Sequence, residues 1–327
     1  MAIKNVLEAV HDAMQEEMRR DERVFVMGED VGRRGGVFLA TNGFLDEFGE
    51  DRVMDTPLAE SSIAGVALGA AMHGMRPIAE IQFGDFVWPV FNQIVGEAAR
   101  VRYGTKGKLS VPLVLRTPHG GGVRGALYHS QSIEAYFYHT PGLKVIAPAT
   151  PFDAKGLLKS AIRDDDPVIF LEHKRTYRLV QGEVPDEEYT LPIGKADVKR
   201  QGSDLTVVTY GLMVHHCLEA AQELEEEGIS CEVVDIRTLR PLDKDTILES
   251  VAKTGKALVV HEDNKFGGVG GEIAATISEE GFELLDGPVT RLAGPEVPAM
   301  PYSPPLEDMY MLSSAKIAEA IRKLAAY

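Results

Sequence analysis

Apolar positions along this chain follow two alternating periods. Val6, Leu7, Val10, Met14 and Met18 fall at three- and four-residue steps with charges between them, which predicts an amphipathic first helix. The run RVFVMGED reads as a buried strand that ends in two acids, Glu29 and Asp30. RPIAEIQF and PLVLRTP predict further strands, and VFNQIVGEAARVRY predicts a helix. PFDAKGLLKSAIRDDDPVIFLEHKR reads as a helix, an acidic turn and another strand. Strands alternating with helices argue an α/β fold with a mostly parallel sheet. The texture then changes: TYRLVQGEVPDEEYTLPIGKADVKRQGSD is polar and proline-bearing, with no apolar period, so a domain boundary falls here. Two domains follow, 1–188 and a smaller 189–327. In the second, DLTVVTYG, SCEVVDIRTL, KALVVHED and VTRLAG predict strands. HHCLEAAQELEEEG, DKDTILESVAKTG, GEIAATISEEGF and SSAKIAEAIRKLAAY predict helices.

The stretch from Asp51 to Phe86 breaks the ordinary pattern. Glu60 opens a segment built of small residues, among them Ala64, Gly65, Ala67, Gly69, Ala70, Ala71 and Gly74. Glycine inside a helix costs roughly 1 kcal/mol against alanine, so several need a packing reason. The usual one is close approach of another backbone. The segment therefore reads as a buried helix, with a carboxylate in its first turn, pressed against a neighbouring element or subunit. On local grounds Glu60 has two readings: a site carboxylate, or an acid that complements the helix dipole. Glu29 and Asp30 likewise suit either a ligand crevice beyond the strand ends or a solvated loop.

Charge and composition narrow the class. The 327 residues are 44% hydrophobic and carry a net charge of −16. That balance disfavours nucleic acid and anionic membranes and suits a basic partner. Cys217 and Cys231 have no metal spacing and read as buried free thiols in a reducing compartment. The N-terminus has no apolar signal core, and no apolar run reaches the ~20 residues of a membrane span, so the chain reads as soluble and cytoplasmic. The loop HGGGVRGALYHSQS contains Gly120-x-Gly122-x-x-Gly125, but no acid follows about 20 residues on, so dinucleotide binding is rejected. What remains is a flexible glycine-rich turn delivering Arg124, His129 and Ser130, where a lone histidine has a structural reading beside the chemical one. VGRRGGVFLATNGF is a second glycine-rich connection whose arginines offer a phosphate contact.

Several separate motifs, in order, resemble one family. DTPLAE, AEIQFGDF, the LYHSQS loop, AIRDDDP and DIRTLRPLD are similar to the β subunits of thiamine-diphosphate-dependent 2-oxoacid dehydrogenases over essentially the whole chain. ALYHSQS resembles the branched-chain members more than many bacterial pyruvate members. The resemblance implies two α/β domains of the transketolase type, a pyrimidine-binding domain and a C-terminal domain. It implies that the Glu60 carboxylate meets the pyrimidine of thiamine diphosphate and tunes the cofactor's own base. By the same resemblance Leu58 and Gln82 line that ring and Phe86 packs against it. His129 matches a loop histidine that serves transfer of the acyl group to lipoamide. Leu113, Ala161, Ile162, Asp164 and Asp166 match a potassium site built on backbone oxygens, with a plain acidic turn as the rival reading.

One absence completes the picture. The metal motif of this cofactor class begins GDG, and no GDG occurs in the chain. The resemblance therefore implies that magnesium and the diphosphate are held mainly by a partner α subunit, in a two-α two-β heterotetramer. That assembly is expected to dock on a lipoyl-bearing acyltransferase core through the acidic C-terminal domain. The expected substrate is a branched-chain 2-oxoacid, with pyruvate or acetoin as alternatives. The remaining rivals are a self-sufficient transketolase-like enzyme and a non-catalytic scaffold of the same fold.

Overall fold

The computed structural model describes residues 1–327. They form two compact units: residues 1–119 with 136–193, and residues 120–135 with 194–327. The segment 120–135 thus belongs with the C-terminal unit, although it lies deep in the N-terminal half of the sequence.

In the first unit six parallel strands run in the order Lys144–Ile146, Val168–His173, Val114–His119, Arg76–Glu80, Val24–Gly28, Val53–Asp55. The central strands are buried along their whole length, which is why they read as near-continuous apolar runs rather than alternating ones. The first helix spans Val6–Arg20 and starts at a capping box. The Asn5 side chain accepts from the Glu8 N–H at 2.9 Å, and the Glu8 carboxylate accepts from the Asn5 N–H at 2.8 Å. Its apolar face, with Val10, Met14 and Met18, joins the core shared with the Pro151–Arg163 helix. Glu17 is buried at that contact and is held by the Arg163 guanidinium at 2.6 Å.

Arg116 sits in the middle of this sheet, fully buried. Its Nε and Nη2 donate to the two oxygens of Glu172 at 2.7 and 2.6 Å, and its Nη1 donates to Glu80. The Tyr177 hydroxyl also donates to Glu172. Burial pushes the Glu80 carboxyl up; Arg116 opposes this shift and Glu172 adds to it. A buried guanidinium with both forks paired ties three adjacent strands together just below their C-terminal ends.

Two sequence expectations need revision here. Ala2–Asn5 is a strand, paired antiparallel with Gln181–Val184 inside the stretch that reads as a polar linker. Gln-Gly-Glu-Val offers too little apolar alternation to signal a strand; its partner's backbone supplies the hydrogen bonds. The helix expected over VFNQIVGEAARVRY is π-helical at Asn92–Ala98 and becomes α-helical only at Ala99–Gly104. Apolar spacing over two turns does not separate those periods.

In the second unit the strand order is Thr290–Gly294, Ala257–Asn264, Leu205–Thr209, Cys231–Asp235, Asp197–Arg200. The first four are parallel and the last runs antiparallel. The helices Leu212–Glu225 and Ser314–Ala325 cover one core, which includes Cys217 and Cys231. Both cysteines are buried and free, and burial pushes their thiols up to about 12 and about 11, so neither is a ready nucleophile. A short helix, Pro304–Tyr310, follows the proline-rich stretch where the pattern predicted none; its prolines occupy the first turn, where no donor is lost. No helix of the chain is long and apolar enough to cross a membrane.

Candidate active site

Three neighbouring strands of the first unit deliver the pyrimidine-site candidates from their C-terminal ends. Val24–Gly28 runs straight into Glu29, Arg76–Glu80 is followed two residues later by Gln82, and Val53–Asp55 leads through Leu58 to Glu60. This is the edge at which open α/β sheets take ligands. Gln82 Nε2 donates to the Glu29 carbonyl and to Asp30 Oδ2, both at 3.4 Å. Phe86 ends a short 3₁₀ turn and lies edge-on to Phe83 at 5.6 Å between ring centroids. Leu58 is 80% exposed, a large apolar side chain offered to solvent directly before the helix.

Glu60 opens the helix Glu60–Met72, whose buried face is Ile63, Ala64, Ala67 and Ala71. The helix is only half-buried, which departs from the expectation. Ser62, Val66, Gly69, Met72 and His73 are exposed. A Cβ on Gly65 would meet only the Gln93 side chain at 3.6 Å, and one on Gly69 would meet nothing within 4 Å. No backbone of this chain explains the small residues on that face.

Glu29 is one of the acids with two readings in the sequence. It is buried, and its Oε1 has no hydrogen-bond partner. Burial raises its carboxyl above the ordinary value, and the charges of Glu60 and then Asp30 raise it further. A buried carboxyl at a strand edge, raised by burial and by a neighbouring charge, is a feature that active sites use. The signal was present in the sequence as an acid directly past a buried strand. Only the fold shows that it is not a solvated loop.

In the arginine loop several donors are engaged within the chain. Asp55 accepts from the Gly32 N–H at 2.6 Å and the Arg33 N–H at 3.4 Å, and Arg34 pairs with Asp30 at 3.3 Å. Asp55 thus takes two backbone donors of the loop and Asp30 one guanidinium.

The acidic turn is equally engaged. Arg76 Nη1 donates to the carbonyls of Ile162 at 3.0 Å and Asp164 at 2.9 Å. Lys144 pairs with Asp164 at 2.6 Å, and Arg102 pairs with Asp166. The Leu113 carbonyl accepts from the Val168 N–H at 2.9 Å, and the Ala161 carbonyl from the Asp164 N–H at 3.3 Å. No group of three or more His, Cys, Asp or Glu side chains is arranged to hold a metal ion.

His129 belongs to the second unit, in the loop 120–135. The glycines of its GxGxxG match have local causes. Gly120 and Gly122 adopt φ of +84° and +78°, and a Cβ on Gly125 would lie 2.7 Å from the His129 carbonyl oxygen. At the far end of the loop the Tyr210 hydroxyl donates to Glu134 at 2.8 Å. Burial, then the charge of Asp263, pushes the Glu134 carboxyl up to about 8.

Comparison with known proteins agrees with this architecture. Residues 4–180 match the transketolase pyrimidine binding domain and residues 194–317 the transketolase C-terminal domain. A solved structure described as a split gene transketolase, an inactive β4 tetramer, superposes with a TM-score of 0.80 over 99% of this chain and 98% of its own, at 23% identity, and so shares the fold. The 2-oxoisovalerate dehydrogenase subunit beta of Bacillus subtilis (strain 168) is 60% identical over the full length of both chains. The pyruvate dehydrogenase E1 component subunit beta of the same organism is 50% identical over 99% of each. With both domains matched in order and that identity sustained from end to end, the chain belongs to the β subunits of the thiamine-diphosphate-dependent 2-oxoacid dehydrogenases, in the neighbourhood of their branched-chain members.

Proposed function

We propose that this chain works with an α subunit to decarboxylate a branched-chain 2-oxoacid oxidatively and to pass the acyl group to lipoamide. The observation that carries the site assignment is Glu29 at the C-terminal edge of the sheet, a buried carboxyl with a partnerless oxygen, raised by burial and then by the charge of Glu60. Such an atom asks for a donor, and the amino group of a pyrimidine is one, so the residues present fit that half of thiamine diphosphate. When bound, the cofactor supplies the carbon nucleophile and the electron sink of the reaction. Glu60 holds the proton balance at the pyrimidine ring nitrogen, Leu58 and Phe86 give the ring its apolar walls, and Gln82 fixes the strand end that bears Glu29. His129 donates a proton or stabilises charge as the acyl group leaves for lipoamide.

The diphosphate and its magnesium fall to the α subunit, since this chain has no GDG motif and Asp55 occupies its arginine loop. The exposed, glycine-bearing face of the Glu60–Met72 helix supports a subunit contact, in keeping with a two-α two-β assembly. Docking on a lipoyl-bearing acyltransferase core and a cytoplasmic location complete the reading. Potassium at Leu113, Ala161, Ile162, Asp164 and Asp166 remains part of it, supported by the convergence of two carbonyls on one cationic nitrogen. Arg76 competes for that point, so a melting shift specific to potassium over sodium is the test, and its absence removes the ion.

Copurification with the α subunit, followed by kcat/KM for 2-oxoisovalerate and for pyruvate, tests the whole. Pyruvate is the second reading because the 50% relative acts under that name. A preference for pyruvate would replace the substrate assignment, and full turnover by this chain alone would end the two-subunit model.

A further inference from the structure

The loop that carries His129 is conformationally demanding. Besides Gly120 and Gly122, Arg124 and Ala126 stand in the left-handed region at φ of +60° and +57°, which side chains with a Cβ disfavour. Something must hold them there. Two carboxylates of the same unit do so.

Glu262, near the end of the Ala257–Asn264 strand, places Oε1 between the two limbs of the loop. It accepts from the Gly121 N–H at 2.7 Å and from the Ser132 hydroxyl at 3.2 Å. The Gly120 N–H closes the same neck on the Gln131 carbonyl at 3.0 Å. Glu307, in the Pro304–Tyr310 helix and fully buried, takes the tip-ward limb. Its Oε1 accepts from the Gly122 N–H at 2.8 Å and the Arg124 N–H at 3.3 Å, while Oε2 accepts from Arg124 Nη1 at 2.9 Å. Arg124 is held further by Asp308 at 2.7 Å and the Pro304 carbonyl at 3.0 Å. One side chain thus accepts from two amides of the loop and from the guanidinium of the strained residue. Charge-assisted bonds of this kind are the strong ones.

We infer that Glu307, together with Glu262, is a positioning residue for acyl transfer: the two carboxylates fix the loop that presents His129. The inference rests on the reading of His129 given above, but the clamp is observable without it. A purely structural Glu307 would stabilise the unit as a whole. A positioning Glu307 governs the mobility of residues 121–131 and acts on catalysis only through His129.

The test uses the assembled α–β complex with Glu307→Ala, Glu307→Gln and Arg124→Ala, read by hydrogen exchange and by the two half-reactions. In Glu307→Ala the amides of 121–131 exchange at least about 10-fold faster, while the Leu205–Thr209 and Cys231–Asp235 strands keep their protection. Acyl transfer to lipoamide falls about 10-fold or more, and decarboxylation with a dye as electron acceptor stays within about 2-fold. Glu307→Gln, whose amide oxygen still accepts from Gly122, lies between wild type and alanine. Adding Glu307→Ala to His129→Ala costs no further acyl transfer, because both act through one side chain. Unchanged loop exchange overturns the inference, as does a multiplicative loss in the double variant. Should Glu307→Ala unfold the unit, unchanged loop exchange in both Glu307→Gln and Arg124→Ala overturns it equally. A silent His129→Ala defeats the role of His129 instead, and the clamp then stands or falls on loop exchange alone.

Discussion

The sheet edge around Glu60 and the loop around His129 hold their residues by opposite means. At the edge, three strands of one parallel sheet end side by side, and each hands its next residues to the site. Position is set by backbone register and locked by the buried Arg116 with Glu80 and Glu172. The loop has no register. Its shape is imposed by carboxylates that lie more than a hundred residues further along the chain. Residues placed by strand register are held more precisely than residues on a loop, which depends on supporting groups distant in the chain.

The largest effect that separates the two regions is expected at the edge. Glu60→Gln keeps the shape and removes the carboxylate, and decarboxylation in the assembled complex should drop by about 100-fold or more, with melting unchanged. Near-normal turnover would remove Glu60 from the chemistry and leave it a helix-dipole acid. Arg116→Met attacks the edge's support. It leaves Glu80 and Glu172 buried without their cation, a loss of roughly 3–5 kcal/mol that calorimetric or denaturant unfolding would report. A mild loss would mean that the strands need no such lock.

On the loop side, His129→Ala should cut acyl transfer by about 10–100-fold and decarboxylation far less. Equal loss in both half-reactions would point to a role in substrate placement. Glu134, at the loop's end, carries a pH signature. Its folded carboxyl is raised to about 8 from an ordinary 4.5, so its contribution is complete below that ordinary value and is lost as pH rises through about 8. Asp263, raised to about 6 mainly by burial, works in the same direction, while His261, lowered to about 4 by burial and then Arg291, works against it below its ordinary 6.5. Between pH 6.5 and about 8 the Glu134 slope should therefore stand clear, at up to about 1.4 kcal/mol per pH unit. Glu134→Gln should flatten it, as melting across that window would show; an unchanged slope would place the titration elsewhere.

The smallest effect concerns the open face of the Glu60–Met72 helix. Gly69→Ala meets nothing within 4 Å, so it should stabilise the isolated chain by about 0.5–1 kcal/mol through helix propensity. The same change should weaken association with the α subunit in sedimentation or titration. A stabilised chain that assembles normally would mean that this face is not the contact.

How much of this was legible beforehand depended on where each residue stands. Glu60, Gln82 and Phe86 are written in one stretch, next to strands whose apolar runs announce them. Their family motifs and their geometry occupy the same residues. Glu29 was half legible: an acid past a strand signals either a crevice or a loop, and only its burial and its partnerless oxygen decide between them. Glu307 was not legible at all. It sits in a proline-rich segment with no period, and its meaning comes from Gly122 and Arg124, 185 and 183 residues away in the chain.

The sequence by itself determined the alternation of strand and helix, the two-domain α/β class, the acidic surface and the motifs of the 2-oxoacid dehydrogenase β subunits. These are properties of local periodicity and composition, which each short window of residues carries on its own. Tertiary structure alone decided that 120–135 folds with the C-terminal unit and that Asp55 fills the arginine loop. It decided too that Arg76 meets the carbonyls of the acidic turn and that Gly69 of the Glu60 helix faces outward. Each of these is a pairing between distant groups, fixed by the need of buried or strained polar atoms for partners, and no window of sequence records which partner the fold will bring.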